Sequence, residues 1–239
     1  MMIANLWKKI GRNRESKGSK IYKEFIQEGD LCFDVGANIG EKTQAMLDLG
    51  ARVIAVEPQP ECAAKLRKRF RGKDVTIVEK ALGAQEGVAK MHVCTAMPTL
   101  STLSDKWIST TREHGRFAKH DWDSEVSVQV TTMDKLVEHY GNPVFAKIDV
   151  EGFEYEVIKG LSRPIDYISL EFAYEFLDSI FLSLEHLARL GQIRANYAKG
   201  KTPQFVSKEW MNMKELREEL LALEKGLSSW GDVYIKFTK

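Results

Sequence analysis

The sequence predicts a single α/β domain, a mostly parallel sheet with helices on both faces. Three observations lead there. Short apolar runs alternate with helix-length segments along the chain, without a repeat or a linker. One run, Leu31 to Val35, passes through a glycine-bearing turn and a helix to a second run that ends in an acid. That is the order of a unit holding a nucleoside-bearing cofactor at the carboxyl ends of parallel strands. Finally, 239 residues suffice for one large domain with a substantial core.

Composition narrows the class. The chain has 35 basic and 34 acidic residues, a balance that argues against a general nucleic-acid surface. Cys32, Cys62 and Cys94 form no C-x-x-C and read as thiols in a reducing compartment, not as a disulfide frame or zinc site. No stretch approaches the roughly 18 apolar residues of a membrane span. The opening MMIANLWKKIGRN places its charges after its apolar residues and has no small-residue cleavage site, a poor signal peptide. A cytoplasmic protein is the expectation, and the oligomeric state stays open.

Residues 1–24 read as a basic lead-in helix, residues 1–20 of which hold Lys8, Lys9, Arg12, Arg14, Lys17 and Lys20 against a single Glu15. The favoured reading is a solvated helix packed on the domain. The other is a peripheral membrane anchor with Ile3, Leu6, Trp7 and Ile10 on an anionic surface. The domain proper is expected over residues 25–239, with a helix from Ile21 to Gln27 leading into the first strand.

Leu31, Cys32, Phe33 and Val35 suit a strand buried on both faces. A helix is expected from Glu41 to Leu49, stopped by Gly50. Val53 to Val56 is the second strand and ends in Glu57-Pro58. The turn between them has Gly36-x-x-x-Gly40 and lacks the G-x-G-x-x-G that lets backbone approach a pyrophosphate. S-adenosylmethionine carries no phosphate but an ammonium, a carboxylate and a sulfonium. Asp34 at the strand end and free amides in the loop of Gly36, Ala37, Asn38 and Gly40 suit it better. Glu57 is placed to accept hydrogen bonds from both ribose hydroxyls.

Helix 59–71 follows, with Pro58 and Pro60 at its start, where proline is tolerated. Its cluster of Lys65, Arg67, Lys68, Arg69 and Arg71 reads as an exposed face. Val75 to Val78 is the third strand, Gln85-Glu86-Gly87 a hairpin turn, and Val88 to Thr95 the returning strand. Residues 96–125 show neither period, and so long an irregular stretch is functional or mobile. It is read as a cap over the site that contributes to acceptor specificity. Glu125 to Thr131 alternates as a half-exposed strand. Thr132 or Asp134 caps a helix through Tyr140. Val144 to Val150 is the fourth core strand, with Asp149 at its end. Glu151, Glu154 and Glu156 open the next helix, where acids suit the N-terminal dipole. Strand Tyr167–Phe172 carries Glu171 at its end. A helix over 180–190, a strand from Gln192 to Tyr197, a helix from Met213 to Leu223 and a final strand Val233 to Phe237 complete the chain.

Three separated motifs carry a family resemblance over roughly residues 25 to 239. Residues 34–40, DVGANIG, match a first motif; Val130 to Leu136 is similar to a v-TT-x-D-x-L segment; and Phe145 to Gly160, FAKIDVEGFEYEVIKG, resembles the KIDVEGFE…VLKG signature of the FkbM family of methyltransferases. Residues 98–104, 168–172 and 230–234 are similar to one FkbM subgroup. The resemblance implies a Rossmann-like class I methyltransferase fold, with a mostly parallel seven-stranded sheet, an antiparallel final strand and helices on both faces. It implies S-adenosylmethionine as cofactor and O-methylation of a hydroxyl on a sugar, glycolipid or polyketide-like small molecule. Such enzymes contact adenine beyond the third strand. Here Lys80-Ala81 stands where many have an acid, so Ala81 is expected to give apolar contact.

Displacement at a methyl carbon needs collinear acceptor, carbon and sulfur, and a base for the hydroxyl proton. Asp149 is the first candidate for base or acceptor orienter, Glu171 the second, and His114 or His120 from the cap the third. Asp149 and Glu171 could instead hold a divalent cation, though nothing in the sequence requires a metal. Two rival classes are a nicotinamide-dependent oxidoreductase on the same unit and a non-catalytic S-adenosylmethionine-binding protein. Near-zero net charge and the absence of an N/D-P-P-Y-type tetrapeptide after the fourth strand disfavour amine or base targets.

Overall fold

The computed structural model describes residues 19–113, 117, 119–224 and 229–238. In chain order the elements are α1 Ser19–Tyr22, β1 Leu31–Val35, α2 Glu41–Leu47, β2 Arg52–Val56, α3 Pro60–Arg69, β3 Val75–Val78, β4 Ala81–Leu82 and β5 Gly87–Val93. A 3₁₀ turn, Pro98–Leu100, leads to α4 Asp105–Glu113, β6 Ser124–Thr131, α5 Met133–Tyr140, β7 Phe145–Ile148 and α6 Glu154–Lys159. Then come β8 Tyr167–Ala173, α7 Leu177–Leu190, β9 Ile193–Lys199, α8 Met213–Leu221 and β10 Trp230–Phe237.

Seven strands form one sheet in the order β3-β2-β1-β7-β8-β10-β9. The β1–β2, β2–β3, β1–β7 and β7–β8 pairs are parallel. Only β10 runs against its neighbours, inserted between β8 and β9. The expected fold class is therefore observed. Strand order reverses between β1 and β7, and in such sheets the crevice outside the carboxyl ends at that point takes the ligand.

The two faces follow from strand alternation. Leu31, Phe33, Val35, Ile54, Ala146, Ile148 and Leu170 face a core shared with α5, α6 and α7. Cys32, Val53, Phe145 and Tyr234 face the other side, with Ala45 and Met46 of α2 and Ile21, Tyr22, Phe25 and Ile26 from the first described segment. Several helix ends follow local chemistry. Thr132 caps α5 by accepting from the Lys135 N–H, and Asn212 with Glu215 makes a full capping box on α8. Gly50, at φ +84°, ends the α2 segment in the left-handed region, as expected. All three cysteines are buried and unpaired.

Several expectations need correction. The helix from Ile21 to Gln27 is one turn, Ser19–Tyr22; Phe25 and Ile26 follow it, buried against the sheet, with both N–H groups donating to the Tyr22 carbonyl. Most of the basic lead-in helix over 1–24 lies outside the described residues. Gln85 to Gly87 is not a hairpin turn between paired strands, because β6 lies between β4 and β5 in a separate three-stranded sheet. The stretch 96–125 contains an unforeseen helix, α4. Its buried residues are Trp107, Ile108 and Thr111, and Thr111 hides its hydroxyl by donating to the Trp107 carbonyl at 2.8 Å. Two apolar residues in nine gave no period to read. This cap has a core of its own, in which Leu100, Trp107, Ile108 and Phe176 pack with Trp122, whose indole N–H donates to the Leu100 carbonyl. Among the described residues no helix is long and apolar enough to cross a membrane.

Candidate active site

The β1–α2 turn is shaped by two glycines with different tasks. Gly36 has φ +82°, and a Cβ there would sit 1.9 Å from the backbone oxygen of Asp149. It lets β1 and β7 close at their ends. Gly40, φ +84°, leads into α2, where a Cβ would sit 2.3 Å from the Phe70 ring. Asn38 also takes a positive φ of 48°, which asparagine tolerates better than most residues.

The amides of this loop are not free, contrary to expectation. Gly36 and Ala37 both donate to the Val56 carbonyl, at 2.9 and 3.0 Å, and Gly40 donates to Ala37. Asn38 donates to Glu57 Oε2 at 2.8 Å, while Glu57 Oε1 accepts from the Gln59 N–H at 2.8 Å. Each Glu57 oxygen thus takes one backbone donor and keeps lone pairs for the cavity it lines. Burial pushes the Glu57 carboxyl above its ordinary value against these two bonds.

Asp34 lies beneath the loop, outside the cavity wall. It is fully buried and accepts the Thr43 hydroxyl at 2.5 Å, tying α2 to β1. Burial pushes its carboxyl up to about 6. Gly40 also stands outside the wall. The cavity, about 790 Å³, is lined among others by Gly36, Ala37, Asn38, Glu57, Ala81, Asp149, Glu171 and Asp232. Glu57, Ala81, Asp149 and Glu171 thus meet in one space although they lie far apart in sequence.

The residues of the Lys147–Glu154 segment divide the work. Lys147 is wholly buried, its ammonium 2.9 Å from Asp232 and 3.3 Å from Asp149. Strand register explains this: Lys147 pairs with Ser169 and Ser169 with Tyr234, while Glu171 pairs with Asp232 one step nearer the cavity. Burial alone would raise the Asp149 carboxyl, but the Lys147 charge and a hydrogen bond from Glu171 hold it below the usual range. Glu171 is pushed well above its ordinary value by burial and by the Asp149 charge. The two carboxyls are thus pushed in opposite directions, Glu171 toward the protonated form and Asp149 toward the ionised one. Carboxylate oxygens of Asp149, Glu151 and Glu171 lie within 4.8 Å of one another, a spacing that could hold a cation.

Glu154 does more than favour a helix dipole. Its Oε1 accepts from Val150 at 3.0 Å and from Gly152 at 3.3 Å, bracing the loop over the cavity. Within that loop Glu151 has φ +53°, a strained value for a residue with a side chain. The Thr102 hydroxyl donates to the Glu151 carbonyl at 2.7 Å, and Gly152 lies so close to Trp107 that a Cβ would fall 2.3 Å from the indole. The cap is thereby fastened to the end of β7. Gln59 makes a second tie, donating to the Pro98 carbonyl. Asp232, within the 230–234 motif, joins the site through strand order, which sets it beside Glu171 and which no local pattern reveals. His120 rests against Phe117 and is not part of the cavity wall. His114 lies outside the described residues.

This arrangement can be set beside known proteins. The Methyltransferase FkbM domain model matches residues 34–218. The hexuronic acid methyltransferase AglP of Haloferax volcanii is 22% identical over 169 residues, 70% of this chain and 64% of AglP, so the match spans under two thirds of that relative. A chloroplastic ribosomal RNA small subunit methyltransferase of Arabidopsis thaliana is 32% identical over 84 residues, 35% of this chain and 22% of that one. Among solved structures, a precorrin-6y C5,15-methyltransferase from Geobacter metallireducens covers 97% of this chain, with 92% of its own length matched, at 13% identity and a TM-score of 0.48. With residues 34–218 matched, most of its length, the chain belongs to the FkbM family of S-adenosylmethionine-dependent methyltransferases.

Proposed function

We propose that the protein methylates a hydroxyl of a sugar, glycolipid or polyketide-like small molecule, with Asp149 as the base that takes the hydroxyl proton. The observation that carries this reading is the Lys147–Asp149–Glu171 arrangement: a carboxylate on the cavity wall at the switch point, held toward its charged form by a buried ammonium 3.3 Å away and by a hydrogen bond from the neighbouring acid. The cofactor fits the residues present. Gly36 lets β1 close on Asp149 at the cavity wall, Glu57 retains acceptor capacity for a ribose diol, and Ala81 offers an apolar wall.

Bound there, S-adenosylmethionine supplies a methyl carbon activated by its sulfonium. Asp149 would orient the acceptor hydroxyl and receive its proton. Glu171 donates to Asp149 and keeps its geometry. The cap, fastened through Trp107 and Thr102, excludes water and shapes the acceptor space. The hexuronic acid specificity of AglP supports a sugar acceptor.

The test is Asp149→Asn assayed on a panel of sugar, glycolipid and polyketide hydroxyls, with uronic acids included. A base of this kind contributes about 10²- to 10⁴-fold. We expect such a fall in kcat with S-adenosylhomocysteine affinity changed by less than about threefold. Native-like turnover by the variant would remove Asp149 as the base. No turnover by the native protein on any hydroxyl acceptor would overturn the substrate class.

A further inference from the structure

Tyr22 ends α1, with its ring against Phe145 at 5.0 Å between centroids. The side chain is 1% exposed, lines the cavity, and its hydroxyl has no hydrogen-bond partner among the described residues. A buried donor without a partner forfeits the solvation it had in water, a penalty of about 1–3 kcal/mol that native structures rarely leave standing. Burial also pushes the phenol well above its ordinary value, so it remains a donor.

The position says which ligand group would meet it. If Glu57 at the end of β2 holds the ribose and Ala81 flanks the base, the rest of the cofactor crosses Gly36 at β1 toward β7 and β10. Tyr22, Lys42 and Asp232 line the same cavity, and Tyr22 lies close enough to Asp232 to feel its charge, so the amino-acid end would run toward them. Asp232 suits the ammonium. The carboxylate needs donors, and Lys147 is already engaged by Asp149 and Asp232. We infer that Tyr22 donates its hydroxyl hydrogen to the carboxylate of the cofactor's methionine end, with Lys42 supplying the positive charge. This rests on the reading of Glu57 as the ribose anchor.

The experiment titrates the full chain and Tyr22→Phe calorimetrically with S-adenosylhomocysteine and with 5′-methylthioadenosine, which lacks the amino-acid end. A hydrogen bond to a charged group sets the scale. The expected result is about a tenfold weaker Kd for S-adenosylhomocysteine in the variant, equivalent to about 1.4 kcal/mol, with methylthioadenosine within about twofold. The unliganded variant should melt no lower than the native chain, since the lost hydroxyl has no partner to lose. Unchanged S-adenosylhomocysteine affinity, or an equal loss for both ligands, would overturn the inference while leaving Glu57 in place. A native protein that binds neither ligand would overturn the Glu57 reading and this inference together.

Discussion

Replacing Lys147 with methionine keeps most of the buried stem and removes the charge that the acidic wall is built around. The ammonium lies 2.9 Å from Asp232 and 3.3 Å from Asp149, and those carboxylate side chains are 17% and 27% exposed. At an effective dielectric near 20 each contact is worth about 5 kcal/mol, set against several kcal/mol for desolvating the ions. Removing one partner leaves the others buried and unpaired, which costs about 3–5 kcal/mol. The pH dependence has a definite sign. Asp149 is held below its ordinary range in the folded state, so its contribution is present above the unfolded carboxylate pKa, about 3.9, and is lost as pH falls through the folded value. Lys147→Met abolishes that contribution. The gap between native and variant should therefore hold from about pH 7.5 down to about pH 4 and shrink only as pH falls below that. Urea denaturation at several pH values reads both. A loss below about 1 kcal/mol, or one that does not change with pH, would refute the reasoning.

Three further substitutions test other parts of the site. Gly36→Ala forces a methyl group against the Asp149 carbonyl at a positive φ, so S-adenosylhomocysteine affinity should fall by more than about tenfold and the melting temperature should drop; a variant that binds normally would show the close approach to be slack. Gly152→Ala drives a Cβ into Trp107, and should raise the proteolytic sensitivity of the cap before it affects the β1–β2 unit; limited proteolysis of variant and native chain decides. Glu154 is buried and pushed up to about 7 from an ordinary 4.5, so its part in stability is present at low pH and lost as pH rises between those values. Glu154→Gln keeps the acceptor oxygen without the charge. Its stability relative to the native chain should rise by about 3 kcal/mol from pH 4.5 to 7.5, and a flat difference would contradict the buried-acid account.

What could be read from the sequence was set by local chemistry. Buried parallel strands are continuous apolar runs, so β1, β2, β3 and β7 were visible, and the Gly36 turn with Glu57 marked the cofactor end. Asp149 and Glu171 were legible as strand-end acids. The protonation contrast between them was not, because it depends on Lys147 beneath both and on Asp232, which arrives from the far end of the chain on an antiparallel strand. The cap helix α4 escaped notice because it is held by Trp107 packing on Gly152 and by a buried threonine, not by an apolar stripe. The free loop amides were misjudged for a related reason: a glycine turn advertises backbone freedom, but whether its N–H groups are already taken by Val56 and Glu57 is decided by strand register. Tyr22 was passed over because a tyrosine ahead of the first strand gives no sequence signal; its meaning lies in a hydroxyl left without a partner at the cavity.

The central claim is that the crevice between β1, β2 and β7 holds S-adenosylmethionine with Glu57 on the ribose. Calorimetric titration with S-adenosylhomocysteine, on the native chain and on Glu57→Ala, tests it most directly. Micromolar binding by the native protein, weakened at least about tenfold in a variant that still melts cooperatively, is the predicted result. Native binding that survives the loss of Glu57 undiminished, or no binding by the native chain at all, would contradict it.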